Sequence, residues 1–499
     1  MHTVFDALSS VRQAEHTQGI HPMKENSRAR RRAGNRAWQA GLVAMLMPFA
    51  LGTAAQTPTH LQGQALAPFP ETMPAFPAPS DGRPDQRPPP ENVMPLAEGF
   101  DVREFEAMAE ALVHNQRVPG LAMAIVHNGQ VLSARGYGVT DVHDAEPVDA
   151  HTVFRLASLS KSFAGTIAGM LVAEGAMRWD SRVVDFMPGL ELSDPDAAEM
   201  ITVADVLSHR VGLGRHTYDR DIEGGAEYNA LVQRLSQAPM TCQPGDCYSY
   251  QNVAFSLVGD VVFATSGQFF SEAVSRRLFK PLGMHDASYG LDGIQNSPRW
   301  AKPHVRARGG WTSLMPKPTY YRVAPAAGVN ASISDMAQWL IAHMGYRPDV
   351  LPAPLLSTLH SPIVGTPGEM RGGQRSWRRQ RLNAAGYGLG WRVYDYSGHR
   401  MVFHGGAVQG YRGAMAILPE RDLGVVILWN SGSSLPSGLM PTILDRAIGL
   451  SDQRWLAIDY DYDPDEARRA DSTAAHAPPP TRGPVAGGPA SSTSHAMPE

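Results

Sequence analysis

The chain has 499 residues, 43% of them hydrophobic and 18% charged, which is the composition of an ordinary globular protein. Its formal net charge of −4 gives no electrostatic reason to bind DNA or RNA, so nucleic-acid functions are set aside. Only five of the 44 basic residues are lysines, which gives weight to any lysine inside a motif.

In chain order, the first feature is a basic cluster, Arg28, Arg30, Arg31, Arg32 and Arg36, followed by the apolar run Ala40 to Leu51 and the small residues Thr53-Ala54-Ala55. That is the order of a secretory signal. The run is shorter than the roughly 20 residues of a membrane-spanning helix, and Pro48 interrupts it. The expectation is a signal peptide over 1–55, cleaved near Ala55, with an uncleaved anchor as the alternative. Cleavage would leave a periplasmic or secreted protein with no stable membrane span. Residues 56–99 are crowded with proline, Pro88-Pro89-Pro90 included, and read as an extended linker. Residues 451–499 turn charged and then rich in Ala, Pro, Gly and Ser, a composition that buries too little apolar area to offset chain entropy, and are expected to be a disordered tail. The span 100–450 is left as one folded domain.

Within it, Asp101 to Val118 carries Phe105, Met108, Leu112 and Val113 near helical spacing and stops before Pro119-Gly120, which predicts an amphipathic helix. Leu121–His127 and Gln130–Tyr137 flank Asn128-Gly129, the dipeptide of a type I′ hairpin. Ser158 to Glu174, closed by Gly175, and Val253 to Thr265, closed by Gly267, read as helices. Four strands are expected at the far end, Tyr387–Tyr396, Met401–Gly405, Arg412–Leu418 and Gly424–Trp429, and then a helix over Gly438–Ile448. The fold class is α/β of the α+β type: an antiparallel sheet built from both chain ends, flanked by helices, with an all-α subdomain inserted. Cys242 and Cys247 surround Gln-Pro-Gly-Asp, a spacing that closes a small disulfide loop in an exported protein. Two unpaired thiols, or part of a metal site, are the alternatives.

Ser158-Leu-Ser-Lys161 contains the only Ser-x-x-Lys of the chain. A serine hydroxyl is a weak nucleophile until a base takes its proton, and spacing of three on a helix puts both side chains on one face. A capped helix with a solvated lysine is the plain structural alternative. Tyr250 and Asn252 form a Tyr-x-Asn, and His404-Gly405-Gly406 follows a strand; each is weak alone.

In the order Ser-x-x-Lys, Tyr-x-Asn, His-Gly-Gly, these residues closely resemble the class C β-lactamase and penicillin-binding serine hydrolase family. The likeness extends to Ile201–Leu213, Pro281–Met284, Gly328–Leu340, Gly388–Trp391 and Gly424–Asn430, and covers about Asp101 to Leu450. It implies a β-lactamase/transpeptidase-like fold and acyl transfer through an acyl-enzyme, with no metal or organic cofactor. Ser158 would be the nucleophile, Lys161 its proton partner and Tyr250 the general base. Asn252 would bind substrate and Lys161, and the Ser158 and Ala407 N–H groups would form the oxyanion hole beside Gly405 and Gly406. His404 stands where the family often has lysine, and imidazole supplies a cation only when protonated. Arg412 is a candidate for a substrate carboxylate, although a solvated strand-end arginine is the plainer reading. The expected partner is a small molecule or peptidoglycan peptide, with oligomeric state left open. β-Lactam or D-amino-acid peptide hydrolysis comes first; an esterase or lactonase, or a non-catalytic penicillin-binding sensor, are the alternatives.

Overall fold

A computed structural model describes residues 93–451, 453–456 and 458–459, all within the unit Gln62–Glu499. The expected signal peptide, most of the linker and most of the tail lie outside the described residues.

Helix α1, Val102–His114, begins where the Asp101 carboxylate accepts the Arg103 N–H, and it buries Phe105, Met108, Ala109 and Leu112. It ends short of the expected Val118 because Gln116 takes a positive φ of 52°. The hairpin follows as expected. Strands β1, Gly120–His127, and β2, Gln130–Gly138, are joined by Asn128 and Gly129 with φ of 50° and 68°, the positive pair that a type I′ turn requires.

Six more strands complete the main sheet: β3 (Val364–Gly365), β4 (Leu382–Tyr387), β5 (Arg392–Tyr396), β6 (His399–Val408), β7 (Tyr411–Leu418) and β8 (Leu423–Trp429). The order is β2-β1-β8-β7-β6-β5-β4-β3, antiparallel at every pairing, so the first hairpin of the domain pairs with its last strand. Leu121 lies opposite Trp429, and Ile125 opposite Val425. Along β1 only His127 escapes full burial, because both faces of the sheet are covered. Leu121, Met123 and Ile125 pack with α1 and the last helix, Leu439–Ile448, whereas Ala122, Ala124 and Val126 join the core of the central helices.

The single strand expected over Tyr387–Tyr396 is in fact two, β4 and β5, parted by Gly388–Trp391. Gly390 holds φ at 82°, and a Cβ there would collide with the Lys161 carbonyl oxygen. A regular strand cannot make that approach, so the turn replaces it.

Between β2 and β3 lies a mainly helical insertion that includes α2, Ser160–Ala173, and α3, Leu257–Ser266. Short strands join it: Val329–Ala331 pairs with both Phe154–Arg155 and Ser288–Tyr289. Phe154–Arg155 therefore fixes the chain just before Ser158. No helix among the described residues is long and apolar enough to cross a membrane.

Candidate active site

Ser158 sits in a single 3-10 turn, Ala157–Leu159, that runs into α2. Ala157 has φ of 51°, a left-handed conformation that costs a residue with a Cβ about 1–2 kcal/mol. Such strain persists only where the surroundings impose it. Here the preceding strand pairs with Val329–Ala331, and β6 presses from the other side. At Gly406 a Cβ would run into the Leu156 carbonyl oxygen and come within 3.2 Å of the Ser158 nitrogen. Ser158 stays half-buried while its neighbours on both sides are buried.

Lys161, one turn on, is completely buried. Its Nζ donates to Asn252 Oδ1 at 2.7 Å and to the Ala326 carbonyl at 3.1 Å, and lies 3.4 Å from Ser158 Oγ. Three acceptors around three N–H donors fit an ammonium. Burial pushes its pKa below the ordinary lysine value, against the opposing pull of Tyr250 and Asp219. Tyr250 lies beside both Lys161 and Ser158. Burial alone would raise its pKa, but the charges of Lys161 and Arg392 outweigh that and bring it below the ordinary phenol value. Lys161 Nζ stands 4.8 Å from the centre of the Tyr250 ring, and the Arg392 guanidinium 5.2 Å.

The structure brings together Ser158, Lys161, Tyr250, Asn252 and the β6 segment Gly405–Ala407. Asn252 is spent inside the protein: its Oδ1 accepts from Lys161, and its Nδ2 donates to Asp219 Oδ2 at 2.8 Å. The same Asp219 oxygen is 2.6 Å from His216 Nδ1, so a chain of polar contacts leads from Lys161 to the surface. His404 is fully buried behind the cleft. Its Nδ1 faces the Gly405 carbonyl at 2.9 Å and must donate; its Nε2 meets the Tyr387 hydroxyl at 3.0 Å and an Arg392 N–H at 3.2 Å and must accept. Those partners define a neutral ring. Burial, then the charges of Arg392 and Lys161, hold its pKa well below the imidazole value. His404 is thus not the cation of this site.

The second positive charge beside Tyr250, after Lys161, is Arg392, which the sequence reading missed. It is held by the Glu369 carboxylate, with Nε at 2.9 Å from both oxygens, and lies beneath Tyr250. Its one signal in the sequence is its place directly after Gly388-Leu-Gly-Trp391. Asp219 was missed too, and nothing in the local pattern marks it. His209 packs its ring 4.3 Å from that of Tyr250, accepts the Gln251 N–H, and leaves its own Nε2–H buried without a partner. Cys242 and Cys247 form a disulfide, Cα to Cα 6.3 Å, that closes the loop just ahead of Tyr250. Arg412 is the second residue of β7 and makes no ion pair among the described residues.

Comparison with known proteins agrees with this geometry. The family described as Beta-lactamase matches residues 105–449. Penicillin-binding protein 4 of Amycolatopsis lactamdurans is 28% identical over 343 residues, which are 67% of this chain and 86% of that protein. An unguisins hydrolase of Aspergillus campestris is 22% identical over 70% of this chain and 66% of its own length. Among solved structures, the octameric penicillin-binding protein homologue from Pyrococcus abyssi superposes with a TM-score of 0.63 at 24% identity, covering 71% of this chain and 79% of that one.

Proposed function

We propose, because the chain belongs to the beta-lactamase family, that it is an exported serine hydrolase acting through an acyl-enzyme on the amide bond of a β-lactam or D-amino-acid peptide. The observation that carries this reading is Lys161: a buried lysine held by Asn252 and Ala326, beside the hydroxyls of Ser158 and Tyr250, has no structural role that a leucine would not fill at lower cost.

Ser158 Oγ attacks the carbonyl carbon, and its proton passes to Tyr250, whose lowered pKa suits it to act as a base. Lys161 and Arg392 stabilise the phenolate while it lacks that proton. The tetrahedral oxyanion lies against the Ser158 and Ala407 N–H groups, which the approach of β6 to the 157–159 turn sets in place. As the C–N bond breaks, Tyr250 returns the proton to the leaving nitrogen. Water then attacks the ester carbon and gives its proton to Tyr250, which passes it to the departing Ser158 oxygen. The names of the two relatives, a penicillin-binding protein and a hydrolase, support the substrate class.

Ester hydrolysis on the same residues is the second reading, and the neutral His404 favours it, since an ester needs no cation in the third motif. Incubating the purified protein with fluorescent penicillin, nitrocefin and a p-nitrophenyl ester separates the two. The expected result is labelling and turnover of the β-lactams, both lost in Ser158→Ala. Ester turnover alone would move the assignment to the second reading, and stable labelling without turnover would contradict hydrolysis in favour of a sensor.

A further inference from the structure

We propose that His209 is the positioning residue of Tyr250: it fixes the phenol beside Ser158 and Lys161 by taking the backbone N–H groups on either side of Tyr250 while its own ring packs against the phenol ring. The inference deepens the hydrolase reading and rests on it, because the placing of Tyr250 matters to turnover only if Tyr250 is the base. Residues 247–251 belong to no helix or strand, so no regular structure holds Tyr250 where it stands. The neighbouring segment holds it instead. The Ser249 N–H donates to the His209 carbonyl at 2.9 Å, the Gln251 N–H donates to His209 Nδ1 at 3.2 Å, and the Tyr250 carbonyl accepts the His216 N–H at 2.9 Å. Two of these three bonds end on His209, one on its backbone and one on its side chain.

His209 does this at a conformational cost. It follows the short helix Val203–Leu207 and takes a φ of 61°, a left-handed conformation that disfavours any residue with a Cβ. With the chain turned this way, its carbonyl and its ring reach the same three residues. The ring is completely buried, with its centre 4.3 Å from that of Tyr250, 4.7 Å from that of Tyr387 and 5.0 Å from that of Phe255. Because Nδ1 accepts, the ring proton sits on Nε2, which has no acceptor among the described residues. A buried donor without a partner is unfavourable. An apolar ring would fill the space without that penalty, and what it could not supply is the acceptor at Nδ1. Protonation would set an Nδ1–H against the Gln251 N–H and break the hold. Burial first, and then the charges of Lys161 and Arg392, keep the His209 pKa well below the imidazole value; His404, His216 and the phenols of Tyr248, Tyr250 and Tyr387 are the other titratable groups around it. The hold matters because Lys161 Nζ and the Arg392 guanidinium stand only 4.8 Å and 5.2 Å from the centre of the Tyr250 ring. A phenol that drifts away loses its reach to Ser158 together with the charges that bring its pKa down.

The test compares three substitutions in the full protein. His209→Asn keeps an acceptor, its Oδ1, near the place of Nδ1 but removes the ring; His209→Phe keeps a ring but leaves the Gln251 N–H without an acceptor; His209→Gln carries its acceptor to the Nε2 side. In His209→Phe and His209→Gln, kcat for nitrocefin or a p-nitrophenyl ester should fall by roughly 10²-fold with KM little changed, the loss that a small misplacement of a reacting group produces. His209→Asn should stand about tenfold above both. In His209→Phe the acid limb of kcat should also move to higher pH, since Tyr250 leaves the charges that lower its pKa. A role in folding alone would lower Tm but leave kcat per folded molecule and the acid limb in place, and that result would overturn the proposal. So would a His209→Asn no better than His209→Phe. Should His209→Phe fail to fold by circular dichroism, His209→Asn against His209→Gln makes the same comparison. If the parent turns over none of these substrates, or Ser158→Ala keeps its turnover, the hydrolase reading falls, while amide hydrogen exchange at Ser249 and Gln251 still tests the hold by itself. Gln251 should be protected in the parent and in His209→Asn and released in His209→Gln; equal protection in all three would overturn the proposal.

Discussion

At the scale of single residues the site is a division of labour around one proton. In the proposed mechanism Ser158 supplies the atom that is acylated, whereas Lys161 and Tyr250 manage its proton, so their losses should not add. Tyr250→Phe is expected to lower turnover by about 10²–10⁴, and Ser158→Ala with Tyr250→Phe should be little worse than Ser158→Ala alone; additive losses in steady-state kinetics would contradict the shared role. Arg392 gives a second prediction. Glu369 is drawn below its ordinary carboxylate pKa because Arg392 and Tyr394 outweigh the opposing effect of burial. A depressed carboxylate contributes stability that is present above its unfolded pKa and is lost as pH falls through its folded value, below the ordinary carboxylate range. Arg392→Gln strands this carboxylate and should destabilise by about 3–5 kcal/mol in denaturant titrations, and adding Glu369→Gln should recover much of that. With the cation gone from beneath Tyr250, the acid limb of kcat/KM in the double variant should move to higher pH; a limb that stays in place would remove Arg392 from the account of Tyr250. Ser158, Lys161 and Tyr250, which the structure brings together, were legible because their residue types suit the chemistry and the order of their motifs resembles that of the family. Arg392, Glu369 and Asp219 were not, because each joins the site from a different part of the chain and acts on a group rather than on the substrate.

At the scale of elements, the site exists because backbones touch. The hairpin at Asn128-Gly129 and the strands after it were readable from turn chemistry and alternation. Strand β4 was not, since Asn383-Ala-Ala-Gly386 has neither alternation nor β-branched residues, and the break at Gly388–Trp391 answers to α2, which no local pattern encodes. Likewise, the expected helix at Ser158 begins as a 3-10 turn with Ala157 left-handed, a conformation set by tertiary contacts on both sides. Gly406 tests this dependence. Gly406→Ala puts a methyl group where the Leu156 carbonyl and the Leu159 side chain already lie, so β6 must move away from the 157–159 turn. The cost expected for overpacking is about 1–3 kcal/mol. Because the oxyanion donors separate, kcat should fall by more than folding alone explains, by roughly 10²-fold or more. A fully folded Gly406→Ala with unchanged kcat would show that the contact does not set the donors.

At the scale of the whole molecule, five histidines among the described residues are buried with pKa values below the free imidazole value: His209, His304, His343, His360 and His404, with His360 brought down to about 3, chiefly by burial. The unfolded chain binds protons at these positions near pH 6.5 and the folded chain does not, so stability rises with pH across the interval from about 3 to 6.5. Each such group contributes at most roughly 1.4 kcal/mol per pH unit. His151, raised by Asp286, and the carboxylates Asp335, brought up by burial to about 6, Asp260 and Asp422 work the other way but are fewer than the five rings. Thermal unfolding followed at pH 7.5, 6 and 5 should show Tm falling at each step; a Tm that is flat or rises towards pH 5 would mean that these rings are protonated in the folded state. The same burial keeps His404 neutral, which ties the stability profile to the site. The proposed mechanism depends in the end on one covalent bond. Rapid quenching of the protein during turnover of a penicillin or p-nitrophenyl ester, followed by peptide mass spectrometry, should place the acyl group on the peptide that contains Ser158. An acyl group on any other residue, or turnover with Ser158 never modified, would contradict the account.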